Sequence, residues 1–85
     1  MITTGHLTVG TARVQIDGTS VSDFRLHIHN MDNTDTVYIG GPDVTTANGY
    51  GLVKLESVEL ACYASETVYA IATKAGHQIS FLRQV

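Results

Sequence analysis

Apolar residues in this chain recur at every second position, and that period constrains the fold more than any other feature of the sequence. Leu7 and Val9 flank Thr8; Ala12, Val14 and Ile16 alternate with Arg13 and Gln15; and Phe24, Leu26 and Ile28 alternate with Arg25, His27 and His29. A two-residue period is that of a β-strand with one face buried, so Arg25, His27 and His29 are expected to share the opposite face. Thr36 to Ile39, Leu52 to Leu55, Val58 to Tyr63, Thr67 to Ala72 and Gln78 to Leu82 supply further strands, rich in β-branched and aromatic residues. Ser57 to Glu66 could also open a short helix, but Val58, Leu60 and Cys62 on one face favour a strand.

Turn chemistry separates these runs. Asp17-Gly18 reads as a hairpin-type turn, Asn30 to Asp35 predicts a second hairpin, and Lys74-Ala75-Gly76 precedes the last strand. Gly40 to Gly51, with its glycines, one proline and Asn48-Gly49, reads as an ordered surface loop. Seven or eight short strands without crossover helices predict an all-β fold, either an antiparallel β-sandwich or a small jelly-roll-like barrel, in one domain spanning 1–85.

A chain of 85 residues buries only about 60–65% of its unfolded surface, so external support is expected. One cysteine, Cys62, excludes an internal disulfide framework and a cysteine-rich zinc site. Self-association is then the most economical support. Hydrophobic residues at 44% against 15% charged exclude a disordered acidic chain. The net charge is −3, and the five basic residues are scattered singly, which argues against duplex DNA as a partner. The opening MITTGHLTVG has no basic run and no apolar stretch, so neither a signal peptide nor a membrane span is expected, and a cytosolic origin is.

Few residues offer chemistry. His27 and His29, at i and i+2 of a strand, place Cβ atoms about 6.5–7 Å apart on one face, a spacing that zinc or nickel could bridge with further ligands. The alternative is a partly wet or subunit-facing pair making hydrogen bonds. Cys62 lies in an apolar alternation and reads as a small core residue rather than an activated thiolate. Neither a nucleophile elbow nor an adjacent acid pair is present, and Gly40-Gly41 lacks phosphate-loop spacing, so no enzyme activity, cofactor or metal site is assigned. Oxygens of Gly40 to Gly51 could hold calcium, with Asp43 the one formal charge; the alternative is internal bonding by Asp43, Thr45, Thr46 and Asn48 that stiffens the loop. Tyr38, Tyr50, Tyr63 and Tyr69 suit protein or carbohydrate contacts when exposed, although Tyr69, between small residues, suits packing on a sheet.

The segment TVYIGGPDVTTANGYGL, preceded by a strand and a DN turn and followed by VELACYASETVYAIA, resembles small tailed-phage virion proteins carrying a VY(I/L)GG-DVTT-NG signature. The similarity covers most of the chain; VKLES, between Leu52 and Val58, departs from relatives that often carry a proline- and glycine-containing turn there. The resemblance implies a virion structural protein made in the host bacterial cytoplasm. The expected role is a capsid decoration or minor capsid subunit that binds the assembled major capsid protein, or other virion proteins, as a symmetric homo-oligomer. Membrane and direct nucleic-acid partners are not expected. Tyr38, Gly40, Gly41, Asp43, Thr45, Thr46, Asn48 and Tyr50 are the expected partner-binding residues, because ordered loops on rigid sheets commonly carry binding. A tail or head-fibre module that binds receptor or glycan, and a head–tail neck component, are the alternatives.

Overall fold

The computed structural model describes every residue except Thr19. Among the described residues the regular elements are eight strands: β1 (Ile2–Val9), β2 (Val14–Ile16), β3 (Phe24–Asn30), β4 (Val37–Gly40), β5 (Tyr50–Leu52), β6 (Ser57–Cys62), β7 (Val68–Ala72) and β8 (His77–Gln84). They form two four-stranded antiparallel sheets, ordered β1-β8-β3-β6 and β2-β7-β4-β5.

The pairs are nested: β1 with β8, β2 with β7, β3 with β6 and β4 with β5. This is one long hairpin rolled up, with the roll closed by β3 on β8 and β4 on β7. Eight strands wound this way define a jelly-roll sandwich.

The two-residue period is realised directly. Phe24, Leu26 and Ile28 are buried while Arg25 and His27 are exposed and His29 half-buried. Ala70 and Ala72 point inward between half-buried Tyr69 and Ile71. The core between the sheets includes Val9, Ile16, Leu26, Ile28, Val37, Ile39, Leu52 and Ile79. Ser57 to Cys62 is a strand, and Cys62 is a buried free thiol.

Both predicted hairpins are corrected. β2 and β3 lie in different sheets, as do β3 and β4, so Asp17-Gly18 and Asn30 to Asp35 are crossings from one sheet to the other. Alternation fixes which face a strand buries but not which strand lies beside it, and turn residues serve a crossing as well as a hairpin. Among the described residues the one hairpin between sequence neighbours is β4–β5, around the glycine-rich loop. The strand expected over Leu52 to Leu55 is also displaced. β5 ends at Leu52, and a turn follows in which Glu56 N donates to Val53 O at 3.1 Å.

Candidate functional site

The residues singled out for binding lie on the β4–β5 hairpin. Its loop is built around an inward-facing Val44, which is 3% exposed. Val44 packs so closely that a Cβ on Gly40 would lie 2.8 Å from its Cγ2 and a Cβ on Gly49 2.9 Å from it. Neither glycine could be replaced without moving that plug. Past Val44 the chain makes a helical turn: Gly49 N donates to Thr45 O at 2.9 Å, and Thr45 N donates to Asn48 Oδ1 at 2.7 Å. Thr45 Oγ1 accepts from Ala47 N and Asn48 N, while Asn48 Nδ2 donates to Asp43 O. Arg13 anchors the loop from outside through a bond to Val44 O at 3.2 Å.

Thr45 and Asn48 therefore spend their polar groups on shaping the loop. Gly41, Pro42, Asp43, Thr46 and Ala47 stand exposed on a rigid support.

The two tyrosines of the motif do not join in one patch. Tyr38 pairs with Gly51 on the outer face of its sheet, half-buried, whereas Tyr50 pairs with Ile39 and shares the inner face. Tyr50 is 64% exposed because β5 is an edge strand, and there it borders an apolar opening between the sheets. Ile39, Val58, Leu60, Cys62 and Val68 line this opening, with Glu66 at its end. Burial, and secondly the charge of Glu66, push the Cys62 thiol above its ordinary value. A raised thiol in an apolar seam is the opposite of an activated nucleophile.

His27 and His29 face outward on β3, with His6 and Ser80 bordering the same shallow depression. His27 Nε2 lies 3.5 Å from Glu59 Oε2, which also receives Arg25 Nη1 at 3.2 Å. Among the described residues no group of three or more His, Cys, Asp or Glu side chains is arranged to hold a metal ion.

Sequence reasoning missed a buried polar centre where β3 and β5 end and β8 begins. Asn30 and His77 are both fully buried. Asn30 Nδ2 donates to Asp35 O, Leu52 O and Val53 O, and Asn30 Oδ1 accepts from Asp32 N. Next to it, Lys74 Nζ lies 2.8 Å from both Asp32 Oδ2 and Asp35 Oδ2. Lys74, the Thr34 hydroxyl and the backbone N–H groups of Thr34 and Asp35 hold the Asp32 carboxyl well below the usual range. The two carboxylates in turn raise Lys74. Burial holds His77 below its ordinary value, against an opposing pull from Asp32. The cluster of Asn and Asp residues at 30–35 was the available signal, since such side chains bond nearby backbone; its partner His77 lies 47 residues beyond Asn30 and could not be read from it.

No protein-family model matches the chain, and no curated protein does. Among solved structures, the chain is similar to one described under "Bacillus endospore appendages form a novel family of disulfide-linked pili". The TM-score is 0.64 and the identity 18%, over 100% of this chain and 85% of that one. At that identity the likeness is one of fold: a small antiparallel β-sandwich.

Proposed function

We propose that this chain is a virion structural protein of a tailed phage, a decoration or minor capsid subunit that binds assembled capsid protein. The role is binding rather than catalysis. The reading is carried by one observation: the segment that resembles phage virion proteins folds into a loop held rigid from within, which presents Pro42, Asp43, Thr46 and Ala47 on the same hairpin as exposed Tyr50. A pre-stiffened loop loses little entropy on docking. Modest contacts repeated over many capsid copies then add to a large stabilisation of the shell.

The similarity to a pilus protein supports a structural role for this fold. The test is cosedimentation of purified chain with expanded capsids that lack it, followed by localisation on virions by immunogold microscopy. Stoichiometric binding over the capsid surface is expected, with Tyr50→Ser together with Asp43→Lys reducing it at least tenfold. Labelling confined to the tail, or a specific hit on a glycan array, would favour the receptor-binding alternative instead.

A further inference from the structure

We infer that copies of this chain join edge to edge, β1 of one copy adding antiparallel to β6 of the next and extending the first sheet from molecule to molecule. This takes nothing from the proposed capsid role.

The inference starts from the hydrogen-bond accounting of β1. Met1 and Val85 exchange two backbone bonds, Met1 N to Val85 O at 2.8 Å and Val85 N to Met1 O at 3.0 Å. In an antiparallel ladder such pairs alternate with pairs that make none. With Ile2 opposite Gln84 and each later pair in step, Thr3, Gly5, Leu7 and Val9 turn their backbone groups toward β8. Ile2, Thr4, His6 and Thr8 turn theirs away, to an edge with no strand beside it among the described residues.

Folded proteins guard such edges with charges, prolines, bulges or short strands. β1 has none of these: it is eight residues long, ITTGHLTV, and pairs with β8 without interruption. Such an edge is open to strand addition, in which a second extended backbone takes the place of water on the alternating N–H and C=O groups.

β6, at the far edge of the same sheet, is its complement. Asn30 N donates to Glu56 O at 2.9 Å. Alternation from that bond directs Val58, Leu60 and Cys62 toward β3 and leaves Ser57, Glu59 and Ala61 facing outward. Beneath this edge lies the apolar opening bordered by Val58, Leu60 and Tyr50. Since adjacent strands alternate in direction across β1-β8-β3-β6, a following copy with its inner face on the same side presents β1 antiparallel to β6.

One register fits both faces. Thr8, His6 and Thr4 pair with Ser57, Glu59 and Ala61, which sets the His6 imidazole opposite the Glu59 carboxylate on the outer face. Leu7 then lies opposite Val58, over the apolar opening, and Thr3 opposite Cys62. A slip of one residue would face donor against donor and turn Leu7 to solvent. A slip of two loses His6 against Glu59. The contact is heterologous, so it propagates into a ring or a filament rather than stopping at a dimer.

Thr3 and Cys62 would form a non-hydrogen-bonded pair with Cα atoms about 4.5 Å apart, inside the range a disulfide spans. Thr3→Cys protein, purified alone and oxidised mildly, should therefore give a ladder of covalent trimers and longer species on a non-reducing gel. Thr3→Cys with Cys62→Ser should give nothing beyond a dimer. Thr4→Pro in the Thr3→Cys background should abolish the ladder while leaving the melting transition in place, because the Thr4 N–H faces the free edge and not β8. A Thr3→Cys protein that stays monomeric, or stops at a dimer, overturns the inference. Because no capsid is present, loss of capsid binding and loss of this ladder are separate results.

Discussion

His77 Nε2 lies 2.8 Å from Asn30 Oδ1 with both side chains fully buried, and this bond joins β8 to the end of β3. Oδ1 also accepts the Asp32 N–H, so it acts only as an acceptor and Nε2 must carry the imidazole proton. Asn30→Ala would strand the carbonyls of Leu52 and Asp35 and the His77 N–H in a dry interior. Orphaned buried groups cost about 1–3 kcal/mol each, and relaxation recovers part of that. The expected loss is about 3 kcal/mol, read from the urea midpoint at unchanged slope. A loss below about 1 kcal/mol would mean that water enters and replaces the amide.

The same geometry sets a pH dependence. With Nε2 protonated, His77 Nδ1 is a bare acceptor 3.9 Å from Asp32 Oδ2, and no donor among the described residues reaches it. Burial lowers the folded value of His77 below the unfolded 6.5; Lys74 acts with burial, while Asp32 and Asp35 act against it. The unfolded chain therefore binds a proton more readily than the folded one. Stability is fully present above pH 6.5 and is lost as pH falls below it toward the folded value. Asp32, lowered in the fold, adds a second loss only below its unfolded value of 3.8. Chemical denaturation between pH 7.5 and 5 should show the midpoint fall in the wild type and flatten in His77→Gln, which keeps a donor toward Asn30. An equal slope in both proteins would assign the effect elsewhere.

What could be read from the residues and what could not divide along physical lines. The faces of β3 and β7 and the preference of Val58, Leu60 and Cys62 for a strand were legible because alternation is a local signal. The stiffening of the loop by Thr45 and Asn48 was legible too, since side chains of that kind bond to adjacent backbone. Strand order was not: β1 pairs with β8 across the whole length of the chain, and nothing local in ITTGHLTV names HQISFLRQ as its partner. The candidate site was legible as a segment but not as a surface. The opposite facing of Tyr38 and Tyr50 follows from the position of β5, which the expected strand over Leu52 to Leu55 had misplaced.

That displaced turn stores strain that can be released. Leu55 holds φ at +58° and is 57% exposed, so its side chain contributes little packing to offset a left-handed backbone. Its N–H donates to Asp32 O at 3.2 Å, which fixes the conformation. The left-handed region costs a branched L-residue roughly 1–2 kcal/mol, and glycine returns about 0.5–1 of that through its freer unfolded chain. Leu55→Gly should therefore stabilise by about 0.5–1 kcal/mol. Leu55→Val, branched at Cβ, should destabilise in the same thermal or urea measurement. A destabilised Leu55→Gly would show that the leucine is anchored by contacts that outweigh its backbone.

The glycines of the loop separate into those that shape it and those that do not. A Cβ on Gly49 would lie 2.6 Å from Tyr38 Cβ and 2.9 Å from Thr45 O, and both obstacles are close to the main chain and cannot swing aside. Gly41, by contrast, has nothing within 4 Å of an added Cβ. Gly49→Ala must push β4 away from the helical turn and displace Val44 from between Gly40 and Gly49, an overpacking cost of about 1–3 kcal/mol. Gly41→Ala should leave stability within about 0.5 kcal/mol. If the loop is the capsid-facing surface, the two variants also part company in cosedimentation when compared at a temperature where both are folded. Gly49→Ala should weaken binding through loss of loop shape, although the Gly49 side chain position is no part of the exposed tip. Equal binding by both would show that the rigid form of the loop is not what the partner recognises.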